Sequence, residues 1–448
     1  MKYYLGIDTG TTSISIVALD GTGKQIESRT IKHGAFITGE SEGSKIQNPE
    51  RIADLVFSNV DDLVKNFGGE KPSAIGLTGQ MHGILYVDKN GKSASPLYTW
   101  QDNSGSLSLK NHDGKTACEI LKENGLNVPK GYGMGTHLYL QESGKIPSNA
   151  VKFTTMSDYI AMRLCGNKSP VLSPDMAAGM GGYDVKNKIF MNDALSSSGV
   201  NLSYIPETVK NYEAVGHTKD GVPVICSMGD NQACFMGATG GENSGNVLLL
   251  NVGTGSQVSL MIREFSDVHS DIEIRPFGDN YILSGSALCG GRAYAMLEGL
   301  FREIAGNDCY GIMNEKAADF LKSCGLGKAW NVDTRFNGTR TQPDITGSIT
   351  GISAENFCAG AFTVGVIRGI ISELKSMYEQ MKMITGIEAG SLYVSGNGMR
   401  NNEVMRKTAS LLFGLTENLA RYSEEAASGC ALTAAQNKNS TKRALTSE

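Results

Sequence analysis

Apolar and polar residues alternate from the start of the chain. Tyr3, Leu5 and Ile7 lead into a short Gly/Thr stretch, and Ile14, Ile16 and Ala18 follow it. Period-two alternation on both sides of a small polar turn predicts a β-hairpin over residues 3–20, turning at Asp8-Thr9-Gly10-Thr11-Thr12. The period then changes. Ile52, Leu55, Val56, Val60, Leu63 and Val64 recur at helical spacing and form one apolar face. Asn48-Pro49 supplies the start of that helix, with Asn as N-cap and Pro in the first turn. Strands are predicted at 73–78 and 84–87, the second closing on Asp88-Lys89-Asn90-Gly91. Residues 101–150 are polar, Gly-rich and weakly periodic. They read equally as a lid or substrate-contacting insert and as loops and short helices without a direct role.

The opening plan recurs in the second half. Val247-Leu248-Leu249-Leu250-Asn251-Val252 leads into Gly253-Thr254-Gly255-Ser256, then Val258, Leu260 and Ile262. A repeated strand–turn–strand unit predicts two related halves, each able to hold phosphate at its turn. The boundary is placed near Asp220-Gly221-Val222-Pro223, giving domains 1–223 and 224–448. A long helix over 356–385, a strand over 391–395 and a helix over 402–413 are predicted, and a polar, frayed tail from 437. Strands alternating with helices define an α/β class.

Composition narrows the partners. The 448 residues suffice for two or three domains with their own cores. A net charge of -5 gives no argument for nucleic acid or an anionic membrane surface. The nine cysteines include no C-x-x-C pair, which predicts a reduced, intracellular setting. The first residues read as a strand, not a secretory leader, and no apolar run is long enough to span a membrane. A cytoplasmic location is expected.

Chemistry concentrates in a few turns. Phosphate oxygens need several short-range donors, and backbone N–H groups supply them where no bulky side chain intervenes. Gly10, Thr11 and Thr12 offer such donors, as do Gly253, Thr254, Gly255 and Ser256; neither turn has the Lys of a P-loop. A single turn of this kind is commonly an ordinary hairpin; two matching ones are less so. A carboxylate beside a phosphate cradle repels it unless a cation lies between, so Asp8 implies Mg²⁺ if ATP binds there. Otherwise Asp8 reads as a turn cap. Asp230 follows an apolar run, in Ser227-Met228-Gly229-Asp230-Asn231. A hydroxyl acceptor needs a base to take its proton, and Asp230 suits that role. The plainer reading is a helix N-cap. In Gly79-Gln80-Met81-His82-Gly83, Gln and His can bond sugar hydroxyls, although a lone His is usually a satisfied core residue. Trp100-Gln101-Asp102 sets an aromatic face near a carboxylate, which suits a polyol, and Trp is as often core. Ser395-Gly396-Asn397-Gly398-Met399-Arg400-Asn401 reads as a strand-to-helix turn on which a nucleoside can rest, with Asn401 near an adenine edge.

In this order, these segments resemble the FGGY carbohydrate kinase family. The resemblance runs from Leu5 to about Leu432 and includes Gly76–Gly83, Ser157-Asp158-Tyr159-Ile160 and Asn251–Ser256. It implies two actin-like (ribonuclease H-like) domains with a cleft between them, ATP mostly against the second and sugar against the first. It implies Asp230 as the catalytic base, and Asp8 with Asp230 as holders of Mg²⁺. The nucleotide contacts it implies are Thr11, Thr12, Gly253, Thr254, Gly255, Gly291, Gly396, Asn397 and Asn401. The sugar contacts are Gln80, Met81, His82, Trp100, Asp102, Asp230 and Asn231. Gln80–Gly83 looks like the ketose kinases, and Gly338-Thr339-Arg340 with Gly347-Ser348-Ile349 resembles sedoheptulokinase-type sequences. The expected acceptor is therefore the terminal hydroxyl of a ketose, sedoheptulose first, xylulose or ribulose next. Three positions depart from the family pattern: Ser104 stands where an Arg is usual, Asn397 replaces the middle Gly, and the second turn reads Gly-Thr-Gly-Ser. A different class, an actin-like ATP-binding protein without sugar kinase activity, is the alternative. The expected partner is a small-molecule sugar, not nucleic acid or membrane; whether the chain works as a homodimer is left open.

Overall fold

The computed structural model describes residues 2–39, 43–242, 246–268, 271–339 and 342–444, with side chains to 437 at the C-terminal end. Arg340, singled out above, lies outside the described residues. The chain forms two compact units. The first comprises 1–241, 276–279 and 424–448; the second comprises 242–275 and 280–423.

The first unit is built on a seven-stranded sheet. Its strands are β1 (Tyr3–Thr9), β2 (Ser13–Asp20), β3 (Gln25–Lys32), β4 (Ile75–Gly79), β5 (Ala214–His217), β6 (Pro223–Ile225) and β7 (Met228–Gly229). The order is β5-β6-β4-β1-β2-β3, with β7 on β4. The predicted hairpin is present, and β3 extends it antiparallel. β4 runs parallel to β1. Both faces of β1 are covered, so its alternating pattern is apolar nearly throughout. Helix α1 (Pro49–Asn66) starts as predicted: the Asn48 side chain accepts the Arg51 N–H and Pro49 opens the first turn. Its Ile52, Val56, Val60 and Leu63 pack into the same core as Leu5, Ile7, Ile14 and Ile16.

The stretch 101–150 is more ordered than its composition suggests. It contains a helix, α2 (Gly133–Glu142), whose Met134, Leu138 and Leu140 share a core with Met81, Ile84 and Tyr86. Helices α3 (Met156–Cys165) and α4 (Pro174–Met180) follow. Helix α5 (Asp230–Ala238) then leaves β7. This helix belongs with the first unit, which therefore continues beyond the expected 223/224 boundary to Gly241.

The second unit repeats the topology. Strands β8 (Val247–Val252), β9 (Ser256–Ile262), β10 (Ile272–Phe277), β11 (Asn280–Ala287), β12 (Ser391–Ser395) and β13 (Glu417–Leu419) run in the order β10-β11-β9-β8-β12-β13. Here β9 lies antiparallel between β8 and β11, and β12 and β13 extend the sheet in parallel on the other side of β8. This duplicated arrangement is the actin-like, ribonuclease H-like α/β fold. Its helices are α6 (Gly290–Ala305), α7 (Tyr310–Cys324), α8 (Ala359–Thr385), α9 (Gly396–Arg400) and α10 (Glu403–Phe413).

The last helix, α11 (Glu425–Ala444), returns to the first unit. It continues to Ala444, into the segment expected to fray from 437; residues 445–448 lie outside the described residues. Among the described residues, no helix is long and apolar enough to cross a membrane.

Candidate active site

Three parallel strands end side by side in the first unit. Asp8 is level with Thr78 and Thr9 with Gly79; Met228 and Gly229 pair with the same Thr78 and Gly79. Asp8 and Asp230 therefore emerge at one edge, beyond the carboxyl ends of parallel strands, where ligands commonly bind in open α/β sheets. Side-chain bonds hold the short β7 in place. The Thr78 hydroxyl donates to the Met228 carbonyl at 2.8 Å, and the Ser173 hydroxyl to the Ser227 carbonyl at 2.5 Å.

The N-cap reading of Asp230 is corrected by this geometry. Gly229 occupies the cap, and Asp230 is the first residue of α5. Its Oδ1 accepts the adjacent Asn231 N–H at 2.7 Å. A carboxylate in the first turn is favoured by the helix dipole, and here one of its oxygens satisfies a free N–H of the helix start.

Burial, then the Asp230 carboxylate, then that of Glu424 push the Asp8 carboxyl up to about 7. Glu424 is positioned by hydroxyl donors, Ser15 at 2.7 Å and Thr30 at 2.9 Å. Sequence reasoning missed Glu424; nothing in its local pattern links it to a turn at the opposite end of the chain. No turn-capping bond from Asp8 is found among the described residues. Mutually repelling carboxylates fit a divalent cation, which would relieve the repulsion. Among the described residues no group of three His, Cys, Asp or Glu is arranged to hold a metal alone. Such a cation would thus draw remaining ligands from water and phosphate, as Mg²⁺ commonly does.

The residues after β4 surround the first turn. Gln80 Nε2 donates to Gln47 Oε1 at 3.1 Å and to the Gly10 carbonyl at 3.5 Å, while its Oε1 is buried without a partner. Gln47 Nε2 in turn donates to the Thr11 carbonyl at 2.7 Å. Trp100, which is 47% exposed, donates through Nε1 to the Thr11 hydroxyl at 2.9 Å. The Thr12 carbonyl accepts the His33 N–H at 3.3 Å.

Met81 is buried against Gly179. His82 Nδ1 lies 2.7 Å from the Gly179 carbonyl, which can only accept, so Nδ1 carries a hydrogen. The ring stacks on Tyr132 with centroids 4.0 Å apart at 21°. Tyr132 is a further neighbour the sequence did not reveal. Asp102 is fully buried, and its carboxylate accepts the N–H groups of Lys45 and Ser104, both at 2.9 Å, and the Ser44 hydroxyl at 3.3 Å. Those contacts tie two loops together. Ser104, in place of the usual Arg, is one of the groups so held.

In the second unit, Gly253, Thr254, Gly291, Asn397 and Asn401 line one cavity of about 620 Å³. The first turn of α6 closes onto the Gly-Thr turn: Gly291 N–H donates to the Gly253 carbonyl at 3.0 Å and Arg292 N–H to the Thr254 carbonyl at 2.9 Å. The turn therefore admits no side chain at 291, where a Cβ would lie 2.2 Å from the Gly253 oxygen. Gly396 has a positive φ of 82° and abuts Val252, which sets the turn into α9. Gly255 packs beneath Gly290. The cavity is completed by Arg292, Tyr294, Ala295, Tyr310, Asn314 and Asn402, which sequence reasoning did not select. They come from α6, α7 and the start of α10, and no motif announces them.

A duplicated ribonuclease H-like fold with clustered carboxylates in one unit and a Gly-lined cavity in the other defines a phosphotransferase of the actin-like class. Residues 3–238 match the N-terminal domain, and residues 248–437 the C-terminal domain, of the FGGY family of carbohydrate kinases. The chain belongs to that family, whose members phosphorylate sugars with ATP. It is 24% identical to sedoheptulokinase of Mus musculus over 91% of this chain and 92% of that protein. It is also 24% identical to xylulose kinase of Lactococcus lactis over 92% and 83%, and to gluconokinase of Bacillus subtilis over 54% and 46%. Xylulose kinase from Rhodospirillum rubrum shares the fold with a TM-score of 0.83 at 16% identity, covering 98% of this chain and 90% of that one. Plasmodium falciparum glycerol kinase with ADP gives 0.79 at 18%, covering 99% and 92%.

Proposed function

We propose that this carbohydrate kinase transfers the γ-phosphoryl group of ATP to the terminal primary hydroxyl of a ketose, sedoheptulose first. The carrying observation is the pair Asp8 and Asp230 at adjacent strand ends, with Asp230 opening α5. In this reading the sugar lies by Gln80, Met81 and His82, where the buried Gln80 Oε1 accepts a hydroxyl proton. Asp230 accepts the proton of the attacking hydroxyl. A bond forms from the sugar oxygen to the γ-phosphorus, the bond from that phosphorus to the bridging oxygen breaks, and ADP leaves. Bound Mg²⁺, held by Asp8 and Asp230, would offset phosphate charge. Adenosine would occupy the cavity lined by Gly253, Gly291, Asn397 and Asn401.

A ketose is supported by the end-to-end similarity to sedoheptulokinase and xylulose kinases, against about half the chain for gluconokinase. A pentulose kinase is the second reading, favoured by the xylulose kinase relatives. The test is ADP release with MgATP and sedoheptulose, D-xylulose, D- and L-ribulose, L-xylulose, gluconate and glycerol. Preference for sedoheptulose is expected. Preference for gluconate or glycerol would overturn the ketose assignment.

A further inference from the structure

In the cavity of the second unit one side-chain hydrogen bond orients an amide. Asn402 caps α10: its Oδ1 accepts the Met405 N–H at 2.9 Å, so its amide cannot turn over without losing the cap. Its Nδ2 is buried without a well-formed hydrogen bond. Burial raises the Tyr294 phenol well above its ordinary value, and the Asn402 side chain offsets part of that rise. A phenol in these conditions stays protonated and has one hydrogen to give. Tyr294 gives it to Asn314 Oδ1 at 2.6 Å.

The consequence falls on Asn314. An amide has one acceptor end and one donor end. With Oδ1 occupied, Asn314 presents Nδ2–H as a donor, and no bond to that nitrogen is found among the described residues. Tyr294, Asn314 and Asn402 all line the cavity. Tyr294 and Tyr310 lie with ring centroids 6.0 Å apart and an angle of 28°, giving the cavity a flat aromatic side. A flat side, a fixed donor and a volume of about 620 Å³ suit a purine nucleoside.

We propose that Asn314 is a nucleotide-specificity residue that offers an amide donor to a ring-nitrogen acceptor of the purine, with Tyr294 as the positioning residue that occupies its oxygen. This rests on the reading that the cavity takes the adenosine of ATP. A base lacking the matching acceptor leaves this donor unpaired.

Calorimetric binding of ATP, 1-deaza-ATP, 3-deaza-ATP and 7-deaza-ATP tests it, since each analogue lacks one ring acceptor. One analogue is expected to bind the wild type roughly five- to tenfold more weakly than ATP, the effect of one hydrogen bond. That penalty should vanish in Asn314→Ala. It should shrink in Tyr294→Phe, which keeps the ring but frees the amide to turn. Equal binding of all four nucleotides by the wild type, or a penalty that survives Asn314→Ala, would overturn the proposal. If the wild type binds no ATP at all, the nucleotide assignment of the cavity falls too, a result distinct from ATP bound without discrimination.

Discussion

Gly6, within β1, faces the Ala427 carbonyl of α11 so closely that a Cβ there would lie 1.7 Å from the oxygen. The contact is repeated along the helix. A Cβ on Gly76 would lie 2.2 Å from the Cys430 oxygen, and one on Gly429 2.0 Å from the Ala233 oxygen of α5. The C-terminal helix is thus inlaid on the sheet and on α5, backbone against backbone. This packing brings Glu424, just before α11, toward Asp8.

Substitution at these glycines follows from that geometry. Ala in a helix interior is ordinarily about 1 kcal/mol better than Gly. At Gly429 the overlap is with a backbone carbonyl that cannot swing away, and overpacking of this kind costs about 1–3 kcal/mol or more. Gly429→Ala should therefore be destabilising by about 2 kcal/mol in urea unfolding, the clash outweighing the gain in propensity. Gly299→Ala on α6, where a Cβ meets nothing within 4 Å, should be neutral or stabilising. The same sign for both would refute the packing argument.

Titration gives a second expectation. Burial is the main cause raising Asp8 to about 7, Asp175 to about 7 and Asp158 to about 6. In the unfolded chain a carboxyl titrates near 4. A folded-state pKa above the unfolded one means that the native state holds its proton longer. Stability from these groups is then fully present below pH 4 and declines as pH rises through 6 to 7. Without divalent cation, the melting temperature should fall between pH 5 and pH 8, and Asp8→Asn should flatten that fall. Added Mg²⁺ should raise the melting temperature more at pH 8, where Asp8 is ionised, than at pH 5. A cation effect unchanged by Asp8→Asn would remove Asp8 from the metal site.

Much of this arrangement was readable from local signals. The hairpins at 3–20 and 247–262 are encoded by alternation around Gly/Thr turns, and α1 by Asn48-Pro49 and its apolar stripe. The strand over 391–395 lies where its apolar run predicts it. Other features have no local signal. β3 is half exposed and polar on one face, so Gln25–Lys32 lacks an apolar run. Return of α11 to the first unit depends on Gly6, Gly76 and Gly429, each unremarkable alone. Tyr294, Asn314 and Asn402 meet only after three helices have packed. The three hydrogen bonds that Asp102 accepts from neighbouring loops likewise have no signal in Trp100-Gln101-Asp102.

His82 allows the sugar side to be separated from the nucleotide side. Its Nδ1–H is committed to the Gly179 carbonyl and its ring is stacked on Tyr132. A ring so held is fixed in place beside Gln80 and Met81, where the proposed function puts the sugar. His82→Ala should raise the sugar KM roughly tenfold, the scale of one hydrogen bond plus lost stacking. The KM for ATP should stay near wild type. A larger effect on the ATP term than on the sugar term would remove His82 from the acceptor site.

Asp230 bears the strongest expectation. It stands at the first position of α5, beside Asp8, with Gly229 carrying the cap. Asp230→Asn keeps the size of the side chain and its ability to accept the Asn231 N–H, but removes the proton acceptor. General-base catalysis is worth about 10²–10⁴ in rate, so kcat should fall by that order. ATP affinity, measured separately by calorimetry, should be largely retained, because the adenosine cavity lies on residues of the second unit. Loss of ATP binding together with turnover would indicate a structural or metal-holding role for Asp230. Turnover at the wild-type rate would exclude it as the base and move the search to Asp8.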